Sequence, residues 1–260
     1  MDVGEIAGWV GLLSLPLFIA WDLARPRRRF AAPRGWRARA AVVTVASFWL
    51  SLVVGDLWGR FLGGSSLLDL SPLGTWAGAA VGILIYEFVH YAYHRAAHAW
   101  DWLWRAAHQM HHSAESIDAL GAYYQHPLDT ALFTTWASLV FYPLLGLSAE
   151  AGAVAAAFLS FNAAFQHANI RTPRWLGYLI QRPESHGIHH ERDVHRYNYS
   201  DLPLWDIVFG TFRNPERWEA EAGFYPGASA RVGAMMIGRD VSTPPSPSRA
   251  AAVAAVSTAA

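Results

Sequence analysis

The sequence contains no cysteine, which excludes disulfides, iron–sulfur clusters and thiolate ligands and leaves any metal to nitrogen or oxygen donors. Charge is also scarce: 15% of the residues are charged against 53% hydrophobic, a balance more apolar than ordinary soluble domains show. A membrane protein is therefore expected. Positive and negative residues cancel, so the strongly basic surface that a nucleic-acid partner demands is missing. No basic residue precedes the first apolar run, so the n-region of a cleavable signal peptide is lacking and that run is expected to stay as an anchor. Nucleotide-binding glycine motifs, haem-attachment sequences and internal repeats are absent as well. Any redox chemistry here needs an external electron donor.

What is present begins with uncharged runs at residues 6–21, 40–55, 71–86, 130–149 and 151–170. A spanning helix needs about 20 mostly apolar residues, so these runs with their flanks predict four to five spans, the last two forming a helical hairpin. Between the first two runs stand Arg25, Arg27, Arg28, Arg29, Arg34, Arg37 and Arg39, which the positive-inside rule places in the cytoplasm. Counting spans forward from there brings every histidine-rich segment to the cytoplasmic side. The predicted fold is all-α: an integral-membrane helical bundle with a cytoplasmic, histidine-rich helical cap.

All twelve histidines lie between His90 and His195. Three tight groups stand out: His94 and His98 in HRAAH, His108, His111 and His112 in HQMHH, and His186, His189 and His190 in HGIHH. On a helix, residues three and four apart share a face, so each group is expected to aim its imidazoles at one point. Neutral imidazole suits iron, zinc, copper or nickel, whereas calcium and magnesium prefer oxygen. Eight or more imidazoles exceed the four to six ligands of one first-row ion, which points to two metals. A lone histidine is more often a core or surface residue, but one HxxxH with two HxxHH reverses those odds.

In this order and context the three motifs resemble the histidine boxes of the fatty acid hydroxylase and sterol desaturase superfamily. The flanks match too, through Glu87-Phe88, Trp104, Ser113, His126-Pro127, His167-Ala168-Asn169, Asn198-Tyr199, Trp205-Asp206 and Phe209-Gly210-Thr211. Departures occur at Glu87, Ala92, Gln125 and Ser200, where the family usually has Asp, Trp, a basic residue and Gly. The resemblance implies a non-haem centre of two iron ions that uses O2 and external electrons to hydroxylate or desaturate a fatty acyl or sterol-like membrane lipid. A reductase, ferredoxin or cytochrome would supply the electrons. The resemblance covers about Glu87 to Phe212; together with the apolar runs it divides the chain into a two-span anchor at 1–70, a catalytic domain at 71–215 and an extension at 216–260, which its Ser-, Pro- and Ala-rich composition predicts to be disordered from about residue 240.

The expected metal ligands are His94, His98, His108, His111, His112, His167, His186, His189 and His190. Glu87, His126, Asp129, His195 and Asp206 are expected to orient those imidazoles or to line the substrate pocket. His90 is read as a hydrogen-bonded helix histidine, and Tyr123, Tyr124, Phe161 and Phe165 as packing residues. Three other classes use the same residue types. A haem electron carrier would pair single histidines within facing spans, a metal transporter would hold its ligands near the bilayer midplane, and a di-zinc hydrolase would need only the same imidazoles.

Overall fold

The computed structural model describes residues 1–62, 64 and 66–245. Among them the regular structure is entirely helical, apart from one isolated β-bridge between Glu191 and Ala222. Three long helices open the chain: α1 (Val3–Ala24), α2 (Trp36–Leu62) and α3 (Gly74–Ala99). Each is long and apolar enough to cross a membrane, and among the described residues no other helix is. Their surfaces expose many large apolar side chains, among them Trp9, Leu17, Val42, Trp49, Phe61 and Trp76, the pattern of helices whose solvent is lipid.

The hairpin expected from the last two apolar runs is shorter. It consists of α6 (Pro127–Leu139), a π-helical turn over Val140–Leu144, and α7 (Ala149–His167), with α4 (Asp101–Leu103) and α5 (Gln109–His112) preceding it. Pro143 has no N–H, so the ladder breaks there and Leu145 N–H donates to the Val140 carbonyl instead. The freed carbonyls of Pro143, Leu144 and Leu145 accept from Leu67, Leu68 and Leu70, which seals the hairpin end against the α2–α3 linker. Gly146 sits there at φ 59°, with the Leu68 carbonyl 2.3 Å from where a Cβ would be.

In the bundle α7 packs against α1 and α3, and α6 packs against α2. The C-terminal ends of α1, α3 and α7 and the N-terminal ends of α2 and α6 meet at one end. Asp22, near the end of α1, accepts from the backbone of Ala119 and Asn169, and Trp36, at the start of α2, donates to Asp118. Two short helices, α8 (Pro183–His189) and α9 (Pro203–Val208), complete this end, and α10 (Val232–Met235) packs against α5.

The chain beyond Asn214 folds back over the same end. Arg27 pairs with Glu219, Arg28 donates to the Ala220 carbonyl and lies over the Phe30 and Trp218 rings, and Tyr124 donates to the Ser229 carbonyl. Of the stretch expected to be disordered from about residue 240, residues 246–260 lie outside the described residues. Val241 is fully buried, and its N–H donates to Gln109 Oε1.

Candidate metal centre

The nine histidines expected to bind metal come together at the convergent helix ends, in two groups. His94, His98, His108, His112 and His189 form one, and His111, His167, His186 and His190 form the other; within each group, one ring nitrogen per residue lies within 4.8 Å of the rest. The groups abut, with the His112 and His190 rings stacked 4.2 Å apart. The expectation that each box aims at a single point is corrected here. The i,i+4 pairs His94/His98, His108/His112 and His186/His190 stay together, but His111 and His189 cross to the opposite group. A helix turns about 100° per residue, so neighbours such as His111 and His112 cannot face one point.

Local structure sets these directions. HRAAH is the last turn of α3. HQMHH starts on the last residue of a π-helical segment over Trp104–His108, and the extra residue in that turn reorients the chain entering α5. HGIHH is α8, opened by Pro183 at its first turn and pinned by Arg182 and Glu184, a fully buried ion pair at 2.9 Å. Glu184 also accepts from Thr172, and Arg182 reaches Asn214 and the Thr172 carbonyl, so neither charge is left without partners.

Several Nδ1 atoms bond outward and leave Nε2 pointing inward. His94 Nδ1 lies 2.7 Å from the Tyr199 carbonyl, His189 Nδ1 2.7 Å from the Tyr197 carbonyl, and His108 Nδ1 2.7 Å from Asp129 Oδ2, while His167 Nδ1 reaches the Ala163 carbonyl at 2.9 Å. Those oxygens accept only, so each of these imidazoles carries its hydrogen on Nδ1 and presents a bare Nε2. The Nε2 atoms of the two groups crowd together: His94 and His108 are 2.9 Å apart, His108 and His112 3.2 Å, His111 and His167 3.3 Å, His167 and His186 3.1 Å, and His186 and His190 3.0 Å. Two nitrogens bound to one first-row ion at about 2.1 Å stand roughly 3.0–3.4 Å apart.

His98 and His189 Nε2 are buried with no hydrogen-bond partner at all. Where both partners carry their hydrogen on Nδ1, as His94 and His108 do, the facing lone pairs repel unless a cation lies between them. An all-nitrogen donor set in two closed groups therefore fits two first-row metal ions and does not fit calcium or magnesium. Burial first, and neighbouring imidazoles second, push His112, His189 and His190 well below the ordinary value of 6.5, so they are neutral and able to coordinate at pH 7.

The remaining expected residues take varied places. Asp129 accepts from His108 Nδ1 and from the Tyr93 hydroxyl at 2.6 Å, an orienting contact of the kind expected. Asp206 holds no imidazole directly. It accepts from the Tyr199 and Ser200 N–H groups and from Thr211, and so fixes the loop whose Tyr199 carbonyl holds His94. Glu87 likewise misses every histidine of the two groups and accepts from Ser200, Asp201 and Leu202 instead. His195 places Nδ1 3.1 Å from His112 Nδ1. His126 is away from both groups, where its side chain caps the N-terminus of α6.

Residue types alone do not reveal the Tyr197 and Tyr199 carbonyls, because any residue supplies that acceptor. A trace exists in the loop around them, where Asp193, His195, Tyr197 and Asn198 all have positive φ. Asn198 anchors it, donating to the Ser185 and Arg213 carbonyls and accepting from Arg213 N–H.

A cavity of about 290 Å³ opens onto both groups, touching His94 and His108 of one and His111, His167 and His186 of the other. Away from the histidines its wall is largely apolar, with Tyr86, Phe133, Ala137, Ala156 and Leu159. Tyr123, read from sequence as packing, lines it and meets Ser160 at 3.2 Å, whereas Tyr124, Phe161 and Phe165 do not line it. The arrangement is one of two ligand sets sharing a single chamber suited to an apolar substrate.

Comparison with known proteins gives a consistent picture. The family model described as fatty acid hydroxylase matches residues 79–211. A very-long-chain aldehyde decarbonylase of Oryza sativa is 27% identical over 139 residues, 50% of this chain and 52% of that protein. Sphinganine C4-monooxygenase 1 of Arabidopsis thaliana is 25% identical over 50% of this chain and 52% of its own. An ornithine lipid hydroxylase of Rhizobium tropici is 31% identical over 53% of this chain and 42% of its own. The matched region thus spans about half the length of these relatives. No solved structure matches the chain significantly.

Proposed function

Because the chain belongs to the fatty acid hydroxylase family, whose model spans half of it, we propose that it is an integral-membrane oxidoreductase that hydroxylates a lipid with O2 and external electrons. The observation that carries this reading is the pair of closed imidazole sets opening onto one apolar-walled cavity. His94, His98, His108, His112 and His189 would hold one iron, and His111, His167, His186 and His190 the other. Two bound irons would supply the capacity to activate dioxygen and to take hydrogen from an unactivated carbon, which side-chain acid–base chemistry cannot do.

The protein's own residues do the positioning. Asp129 and the Tyr197 and Tyr199 carbonyls hold the imidazoles in one tautomer, Nδ1 protonated and Nε2 inward. Phe133, Ala137, Ala156 and Leu159 present an apolar wall that receives a hydrocarbon chain and excludes water. Relatives named as a monooxygenase and a hydroxylase favour an alcohol product over an alkene. In this reading α6 and α7 add to the three long helices to make four to five spans, the histidine end faces the cytoplasm, and a reductase, ferredoxin or cytochrome delivers electrons there.

The decisive experiment is isotopic. Membranes containing the protein, a reductase system and ¹⁸O-labelled dioxygen should yield a lipid that carries one labelled oxygen, and His111→Ala or His189→Ala should abolish it while lowering iron content. Protein holding two irons, supplied with reductant and native lipids and producing no oxygen-dependent change in any lipid, would refute the assignment.

A further inference from the structure

One more cluster of metal-binding side chains lies outside the two histidine groups. Glu87 and His90 of α3 and Asp201, just ahead of α9, are all buried, and one ligand atom from each lies within 4.8 Å of the other two. Glu87 Oε2 is fully engaged, accepting from Ser200 Oγ at 2.9 Å, Asp201 N at 2.8 Å and Leu202 N at 3.2 Å. Glu87 Oε1 and His90 Nδ1 are sealed from solvent without any partner. Two carboxamides flank them. Gln166 Nε2 donates to Asp201 Oδ1 at 2.9 Å and Asn162 Nδ2 to the Asp201 carbonyl at 3.4 Å, while Gln166 Oε1 and Asn162 Oδ1 are left with no donor. Neither amide can be turned over, because that would set its oxygen against an oxygen of Asp201.

Buried charge is ordinarily paired or bound to metal. His90 Nδ1 is 3.8 Å from Glu87, beyond hydrogen-bond reach, and among the described residues every arginine ion pair goes elsewhere. A single water could donate to two of the orphaned acceptors but would bring no charge; burial and the Glu87 charge push Asp201 up to about 7, and above that pH, with both carboxylates ionised, a protonated His90 offsets only one of them. A divalent cation offsets both and fills the gap. The signature, ligand atoms within 4.8 Å of one another with buried nitrogens or oxygens left without partners, is the one that marks the five-histidine group.

We propose that Glu87, His90 and Asp201 bind a third, divalent cation, separate from the two histidine groups. A mixed carboxylate and imidazole set suits manganese, iron(II) or zinc. His90 and Asp201 also line the cavity that opens onto the histidine groups, so the ion would sit at the wall of that same chamber. The site ties α3 to the loop at 199–202, one end of which, the Tyr199 carbonyl, holds His94. This assignment does not depend on what the histidine groups oxidise.

The test is a metal count on full-length protein in nanodiscs, stripped with chelator, reloaded with Zn²⁺ and desalted. Wild type should carry three zinc ions per chain, and Asp201→Asn, Glu87→Gln and His90→Leu should each carry two. Two zinc ions in wild type, or three retained in the variants, would overturn the proposal. Glu87→Gln also disturbs the loop it holds, so if that variant fails to accumulate, Asp201→Asn and His90→Leu decide. The wild-type count stands by itself if none accumulates.

Discussion

His111 and His112 are adjacent in sequence and serve different groups, which shows where reading single residues succeeds and where it stops. Spacing singles out the eight box histidines that the fold brings together, whereas His167 lies in no box and is added by its place at the end of the hairpin and by the family resemblance. Spacing does not identify the partition, which depends on the π-helical entry to α5 and on how α5 and α8 face each other. Glu87 and Asp206 are similar cases: each is a buried acid near the centre, yet each acts on backbone N–H groups of the same loop. The crowding of neutral imidazoles has a consequence in acid. His112, His189 and His190 are held below their ordinary value of 6.5, so as pH falls the unfolded chain takes up protons first. Stability from these groups is full above about pH 6.5 and is lost as pH falls toward their folded values. Metal-stripped protein should therefore melt at a lower temperature at pH 5.5 than at pH 7.5. A melting temperature that rises on acidification would contradict the neutral assignment.

At the level of the element, α8 depends on a contact that its own sequence does not reveal. A Cβ on Gly187 would lie 2.4 Å from Trp218 Cδ2, in a residue 31 positions away beyond the last recognisable motif. The indole is held on its other side by Phe30 and by the Arg28 guanidinium, and its Nε1 donates to Glu191, so it cannot retreat freely. Gly187→Ala should cost about 1–3 kcal/mol through overpacking. It should lower thermal stability and the metal content of both groups, since α8 carries His186 and His190 for one and His189 for the other. Trp218→Ala in the same chain should restore part of the loss, and unchanged melting of the Gly187→Ala protein would show that the contact is slack. The helices themselves were legible where hydropathy runs unbroken, as in α1, α2 and α3. They were less so in the hairpin, where Pro143 ends α6 early and Asn162, Gln166 and His167 lower the hydropathy of α7. The C-terminal segment was not legible at all, because Trp218, Phe224 and Val241 follow no helical or strand period and bury themselves one at a time.

For the molecule as a whole, the question is which way the bundle sits in the membrane. The ends of α1, α2, α3, α6 and α7 that meet at the histidine groups are also the ends joined by the Arg-rich linker between α1 and α2. Of the seven arginines, five in this linker and two in the first turn of α2, Arg27, Arg28 and Arg39 are engaged with the C-terminal segment, through Glu219, the Ala220 carbonyl and Ser229. The linker is thus part of the folded end as well as a topology signal, and both roles require it on the same side as residues 214–230. The opposite end carries the α2–α3 linker with Asp69, sealed against the hairpin through Leu67, Leu68 and Leu70. On the orientation proposed from the positive-inside rule, reporter fusions at Arg34 and Asn214 should both read cytoplasmic and a fusion at Asp69 should read outside. Arg34 and Asn214 on opposite sides would be incompatible with the helix ends meeting at one centre. A uniform inversion, with Asp69 inside, would keep the fold and overturn only the orientation, moving the electron donor to the other face of the membrane.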